Sequence, residues 1–170
     1  NVRRTVTYFT GSTIGNFTPH QAAEILDNIA GLVGRGGGLV IGIDLEKDRS
    51  VLEKAYNDAA GVTAEFNMNL LRRMNRETGA DFNLSKFQHR AFYNRQRSRI
   101  EMHLVSLARQ SVNIDGNEFN FEAGESIHTE NSYKYSFERF LALAGLSGFK
   151  RAAYWVDRNL FFSVQYFIIG

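Results

Sequence analysis

The stretch TVTYFTGSTIGNFTPHQ at Thr5–Gln21 decides the fold, because it runs from a strand-like segment through a glycine loop into a helix start. Thr18 is a capping residue, Pro19 suits the first helical position, and Gln21 completes a capping box. The continuous apolar run at 39–45 is typical of a strand covered on both faces. A strand, a helix and a strand in this spacing predict a parallel βαβ unit.

The pattern changes after this unit. Residues 50–78 have a helical composition with a break near Gly61, and two alternating runs flank 94–98 as in a β-hairpin. The end of the chain returns to a helix followed by two apolar strands. We therefore expect an α/β protein in which α/β flanks surround an α+β insertion. The predicted divisions are 1–45 and 134–170 for the sheet and 46–133 for the insertion.

Two of the predicted helices carry apolar stripes. The stripe of the first helix includes Leu26 and Leu32, and that of the helix after the break includes Phe66 and Leu70. Because these residues recur at helical spacing, we expect them to face a core.

The bulk composition excludes several classes of protein. With 44% hydrophobic residues, a chain of 170 residues can bury a core. The 20 basic and 18 acidic residues leave a net charge of +2, which does not favour a nucleic-acid partner. The absence of cysteine removes disulfides and thiol chemistry, and no apolar run is long enough to span a membrane. We expect a cytoplasmic protein.

Two segments are candidate binding sites from their residues alone. The loop Gly11–Asn16 lies where open α/β sheets bind ligands, after a strand and before a helix, although an ordinary turn has the same pattern. In IHTENSYKY at 127–135, Glu130 and Ser132 point to the same side of a strand. A carboxylate and a hydroxyl suit a polar heterocycle such as imidazole, but a solvated strand face gives the same alternation.

The histidines and arginines of the hairpin favour ordinary surface roles. His89 and His103 lie symmetrically about Gln96 and are predicted to be paired surface histidines. Without a third ligand we predict no metal site. Basic and aromatic residues alternate between Arg90 and Arg99, a pattern that single-stranded nucleic acids also favour, but a hairpin turn with solvated charges accounts for it.

Four longer segments resemble one enzyme family. They are FTGSTIGNFTP at 9–19, AYNDAAGVTAEFNMNLLRRMNRETGADFNL at 55–84, RIEMHLVS at 99–106 and GESIHTENSYKY at 124–135. In order and spacing they resemble the histidine-specific Nα-methyltransferases of ergothioneine biosynthesis. The resemblance implies a partial class I methyltransferase sheet, which is Rossmann-like and uses S-adenosylmethionine, with an inserted α+β domain that helps to enclose histidine. It also implies successive methylation of the histidine α-amine to trimethylhistidine, the betaine hercynine.

The resemblance assigns substrate-binding roles near the reacting amine. Asn16 and Tyr56 match the residues that hold the α-carboxylate and orient the amine. Gly11 and Thr13 match positions that line the same amine. The resemblance does not identify the proton acceptor of the reaction.

The resemblance also assigns residues to the substrate ring. Met102 matches a side chain that packs by the imidazole, while Glu130 and Ser132 match the pair that hydrogen-bonds it. These matches favour the binding interpretation of the strand over the solvated one.

The beginning of the chain departs from the family pattern. Asn1–Arg4 lead directly into a strand that corresponds to a late strand of the methyltransferase sheet, so we expect a piece of a longer polypeptide. The residues that bind the cofactor are expected upstream, and the isolated chain is expected to be inactive and to self-associate or form a swapped dimer. The alternatives are a non-catalytic amino-acid-binding module and a methyltransferase of another amino acid, such as a tryptophan derivative.

Overall fold

The computed structural model describes residues 4–170, so Asn1–Arg3 of the predicted first domain lie outside the described residues. The described chain forms nine strands and four α-helices. In chain order they are β1 Val6–Phe9, α1 Pro19–Val33, β2 Gly38–Asp44, α2 Arg49–Tyr56, α3 Val62–Thr78, β3 Phe87–Asn94, β4 Arg99–Ser106, β5 Gln110–Ile114, β6 Asn117–Phe121, β7 Ser126–Tyr133, α4 Phe137–Leu146, β8 Phe149–Val156 and β9 Phe162–Ile169.

The chain divides into two compact units. The first contains the chain up to Lys47 together with Arg95–Arg99 and Asn131–Gly170, and the second contains Asp48–Asn94 and Ile100–Glu130. None of the helices among residues 4–170 is long and apolar enough to cross a membrane.

The first unit is built on a four-stranded sheet in the order β1-β2-β9-β8. β1 runs parallel to β2, with Val6 opposite Gly38, and α1 connects them, so the predicted βαβ unit is confirmed. β9 is antiparallel to both β2 and β8, which confirms the predicted C-terminal strand pair. The predicted capping box is present as well, because Thr18 and Gln21 each accept a hydrogen bond from the other's backbone N–H.

Helices α1 and α4 bury apolar residues with one face of this sheet. Leu26 of α1 and Phe140 of α4 share a core with Leu39 and Ile41 of β2. The prediction that Leu32 faces the core is wrong, since 72% of that side chain is exposed. The buried positions of α1 are Ala22, Leu26, Ile29 and Val33, a stripe of spacing three and four that leaves Leu32 outside it.

The opposite face of the same sheet is apolar and partly exposed. Tyr8, Val40 and Tyr166 are in register across three strands, on the side away from Leu39. Tyr8 is 72% exposed, and Val40 and Tyr166 are partly buried. Exposed apolar surface of this kind can mediate association, and self-association of the chain stays a prediction.

The second unit combines α2 and α3 with a three-stranded sheet, β3-β4-β7, and the two-stranded sheet β5-β6. The predicted break near Gly61 separates the two helices, and the predicted hairpin joins β3 to β4. Phe66 and Leu70 are 63% and 42% exposed, so the predicted stripe of α3 is wrong at both positions. The helix buries Leu71, which the predicted stripe also includes, and Asn67.

Candidate functional site

The loop between β1 and α1 is held in place by two glycines that admit close backbone approach. A Cβ atom on Gly42 of β2 would lie 2.3 Å from the carbonyl oxygen of Gly11. A Cβ atom on Gly15 would lie 2.7 Å from the carbonyl oxygen of Tyr133. Both distances are too short for any side chain, so the loop packs directly against β2 and the end of β7.

This loop carries three of the predicted substrate-binding residues. Gly11 has a positive φ of 58°, and Thr13 begins a 3₁₀ turn that ends at Asn16. The hydroxyl of Thr13 donates to the carbonyl oxygen of Thr10 at 3.0 Å, and Ile14 is completely buried. The buried Ile14 therefore fixes a turn on which Gly11, Thr13 and Asn16 are exposed.

A buried ammonium group organises the end of the sheet in the first unit. Lys134 is 0% exposed, and its Nζ donates to Asp44 Oδ2 at 2.6 Å and to Ser132 Oγ at 2.8 Å. Lys47 bonds the other carboxylate oxygen of Asp44. Because an ammonium group only donates, Ser132 Oγ is an acceptor in this contact and its own hydrogen is directed elsewhere.

The same network reaches the loop between β1 and α1. The backbone N–H of Asp44 donates to Ser12 Oγ at 3.0 Å. Asp44 thus connects the loop after β1 with Lys134 and Ser132, within one unit. Ser132 is 5% exposed, so the solvated-face alternative is wrong for Ser132 and Lys134.

In the second unit, Met102 and Tyr56 belong to one small apolar cluster. Met102 is 3% exposed and packs with Leu52 and Ile100, and Tyr56 packs against this group while partly buried. The carbonyl oxygen of Tyr56 accepts a hydrogen bond from His89 Nε2 at 2.8 Å. The structure therefore brings together two of the predicted substrate residues, one from a helix end and one from a strand.

His89 has a structural position that the sequence did not indicate. Asn67 Nδ2 lies 3.0 Å from His89 Nδ1 and 3.2 Å from the carbonyl oxygen of His103. Since Asn67 donates and the carbonyl of Tyr56 accepts, His89 carries its proton on Nε2. His103 stacks on His128 with ring centroids 4.6 Å apart, and its pairing with His89 stays a prediction.

Glu130 lies on β7 beside these histidines. Its side chain is partly buried, and its carbonyl oxygen accepts a hydrogen bond from His128 Nε2 at 3.1 Å. The hydroxyl of Thr129 donates to the carbonyl oxygen of Met102 at 3.0 Å, which ties β7 to β4. Burial lowers the pKa of His103, while a hydrogen bond to Glu101 opposes the shift. Sequence reasoning missed Glu101 and Asp44, although both carboxylates lie within or at the end of apolar strands.

The fold defines the class of protein. The CcbJ methyltransferase from Streptomyces caelestis has a similar structure, with a TM-score of 0.51, 11% identity and coverage of 98% of this chain and 61% of that chain. The α/β fold is that of the class I methyltransferases, with a partial sheet and an additional α+β part.

The family follows from the sequence match. Residues 1–168 match the family described as "Histidine-specific methyltransferase, SAM-dependent", and the chain belongs to this family. It is 43% identical over 159 residues to the histidine N-alpha-methyltransferase of Mycolicibacterium smegmatis, covering 92% of this chain and 50% of the relative. It is 42% identical over 151 residues to that of Mycobacterium tuberculosis, covering 88% and 47%. The chain spans about half the length of the curated relatives it matches.

Proposed function

We propose that this chain provides histidine-binding residues of an enzyme that transfers methyl groups to the α-amine of histidine. The product is trimethylhistidine, formed in successive steps with S-adenosylmethionine as donor, in ergothioneine biosynthesis. The observation that carries the proposal is the family match over residues 1–168. The 43% identity to a histidine N-alpha-methyltransferase supports the same substrate.

The first group of residues acts on the reacting end of the substrate. Asn16 and Tyr56 hold the α-carboxylate and orient the amine, and Gly11 and Thr13 line the amine. The exposed turn of Gly11, Thr13 and Asn16 supports this role, because its backbone and amide groups are accessible to a ligand. Positioning a neutral amine in line with a reactive methyl group contributes roughly 7 to 11 kcal/mol to such transfers.

The second group selects the ring. Met102 packs by the imidazole, Glu130 accepts its N–H, and Ser132 donates to its other nitrogen. The contact from Lys134 Nζ to Ser132 Oγ supports the donor role, because the lone pair of Ser132 that faces Lys134 is already engaged. An apolar side chain would leave both groups unpaired, and buried unpaired polar groups cost about 1–3 kcal/mol each.

Asp44 does not fit a role in binding S-adenosylmethionine. In open α/β sheets an acidic residue at the end of a strand binds the ribose of a nucleoside. Asp44 has that position at the end of β2, but its two carboxylate oxygens are engaged by Lys47 and Lys134. These two contacts argue against a role of Asp44 in holding the ribose of the cofactor.

The test uses a polypeptide in which this chain follows the cofactor-binding half that the resemblance places upstream. It is incubated with histidine and S-adenosylmethionine, and the products are separated and identified by mass. We expect mono-, di- and trimethylated histidine, and no methylation by the 170-residue chain alone. The absence of any methylated histidine from the joined protein would overturn the proposal.

A further inference from the structure

Three side chains with metal-ligating groups meet in the second unit. Glu101 and His103 lie two residues apart on β4 and therefore point to the same side. His128 lies on β7, the neighbouring strand. One ligand atom from each of these three side chains lies within 4.8 Å of the other two. None of the three has a role in the proposed binding of histidine.

The shortest distance in this cluster already fits a bound ion. His103 Nε2 and Glu101 Oε2 are 3.4 Å apart. Zinc–nitrogen distances of about 2.0–2.1 Å in a tetrahedral site place neighbouring ligand atoms about 3.3 Å from each other. Glu101 and His103 therefore need no large movement to share an ion.

His128 has to turn before it can complete the site. Its ring is nearly parallel to that of His103, with an angle of 9° between the two planes. Ring lone pairs lie in the ring plane, so two parallel rings do not aim at one point. His128 is exposed, whereas Glu101 is only 7% exposed, so His128 has room to tilt about its Nε2 contact with the carbonyl oxygen of Glu130.

Each ligating group is also held by an outer hydrogen bond. Asn94 Nδ2 donates to Glu101 Oε1 at 3.0 Å, which directs Oε2 towards His103. His103 Nδ1 lies 3.0 Å from Ser126 Oγ, and His128 Nε2 bonds the carbonyl oxygen of Glu130, leaving Nδ1 for an ion. Such outer contacts fix the tautomer and orientation of histidine ligands in metal sites.

We propose that Glu101, His103 and His128 form a binding site for a divalent transition-metal ion such as Zn²⁺. Two imidazole nitrogens and one carboxylate oxygen suit zinc and its neighbours better than Mg²⁺ or Ca²⁺, which prefer oxygen ligands alone. The carboxylate supplies one negative charge, and the nearby positive charge of Arg90 weakens the site. The ion joins β4, the strand of Met102, to β7, the strand of Glu130.

The test measures Zn²⁺ binding to the metal-stripped 170-residue chain by calorimetry. Two variants remove a ligand: His128→Asn changes an exposed residue, and Glu101→Gln keeps the size of the side chain and its contact with Asn94. The control is His20→Asn, since His20 is an exposed histidine 3.6 Å from Glu24 on α1. We expect one ion per chain, affinity at least about tenfold weaker in both ligand variants, and no change in the control.

Two results would overturn the proposal. The first is a dissociation constant of the unaltered chain above about 100 μM. The second is equal binding by His128→Asn and His20→Asn, with unchanged circular dichroism of both proteins. The NMR resonances of the histidine rings show where Zn²⁺ binds without the use of these variants. Zn²⁺ should shift those of His103 and His128, and shifts confined to His20 would indicate surface binding only.

Discussion

Replacing Lys134 by methionine should destabilise the first unit and disturb Ser132. Methionine keeps the length of the side chain but removes the ammonium group. Lys134 is 0% exposed, and its Nζ bonds Asp44 and Ser132. The variant therefore leaves a carboxylate with one partner fewer and a hydroxyl without its donor.

The magnitude follows from the surroundings of Asp44. Removing one partner of a buried ion pair costs about 3–5 kcal/mol, because the other charge stays behind. The side chain of Asp44 is 20% exposed and keeps Lys47 on its other oxygen. We therefore expect a loss slightly below that range, about 2–3 kcal/mol. For a protein of this size the melting temperature should fall by roughly 5–10 °C.

Thermal and urea unfolding of the purified variants measure this loss. Lys54→Met is the matched control, since Lys54 is exposed at the end of α2. The loss in the double variant Lys134→Met with Asp44→Asn should be smaller than the sum of the losses in the two single variants, because both single variants break the same contact. A Lys134→Met protein as stable as the Lys54→Met control would show that the contacts of Lys134 with Asp44 and Ser132 do not stabilise the protein.

Three further variants test other contacts. Glu130→Ala should weaken histidine binding by the joined enzyme about 30-fold, because a hydrogen bond to a charged group contributes roughly 2 kcal/mol. The control Glu118→Ala should leave histidine binding unchanged, and equal histidine KM values for the two variants would contradict this expectation. Tyr135→Phe should leave the free energy of unfolding unchanged or raise it by up to about 1 kcal/mol, since the buried hydroxyl has no hydrogen-bond partner among the described residues. A lower free energy of unfolding in urea titrations would count against this prediction. Backbone hydrogen bonds from Thr63 and Val62 lower the pKa of Asp58 from 3.8 to about 2, so the stability it contributes is present above 3.8 and lost as pH falls through about 2. Asp58→Ala should therefore lower the melting temperature at neutral pH by a margin that shrinks over this interval, and a constant margin would argue against the assignment.

The elements of the first unit were predictable because their signals are local. The capping box at Thr18 and Gln21 and the apolar run of β2 each determine one element without help from distant residues. In the second unit, the break at Gly61 was predictable from a local signal as well, because glycine tolerates the positive φ of 71° found between the two helices.

Which apolar residues are buried was less predictable. Leu32, Phe66 and Leu70 recur at helical spacing, yet all three are exposed. Periodicity places such residues on one broad side of a helix, but the width of the buried stripe depends on the sheet beneath it. The sequence carries no local signal for that width.

The polar contacts of the site depend on residues far apart in the chain. Alternation along the strand places Lys134 on the side of Ser132, but Asp44 lies 90 residues away and enters from β2. His103 and His128 likewise meet only because β4 and β7 are neighbours in the sheet. Long-range pairing of this kind has no signature in a single sequence.

A competition experiment shows most directly whether the residues of this chain select histidine as the substrate. The joined enzyme receives S-adenosylmethionine and an equimolar mixture of histidine, tryptophan and phenylalanine, and the methylated products are quantified by mass spectrometry. We expect trimethylated histidine as the dominant product, because in the proposed site imidazole pairs with both Glu130 and Ser132. Dominant methylation of tryptophan or phenylalanine would contradict it.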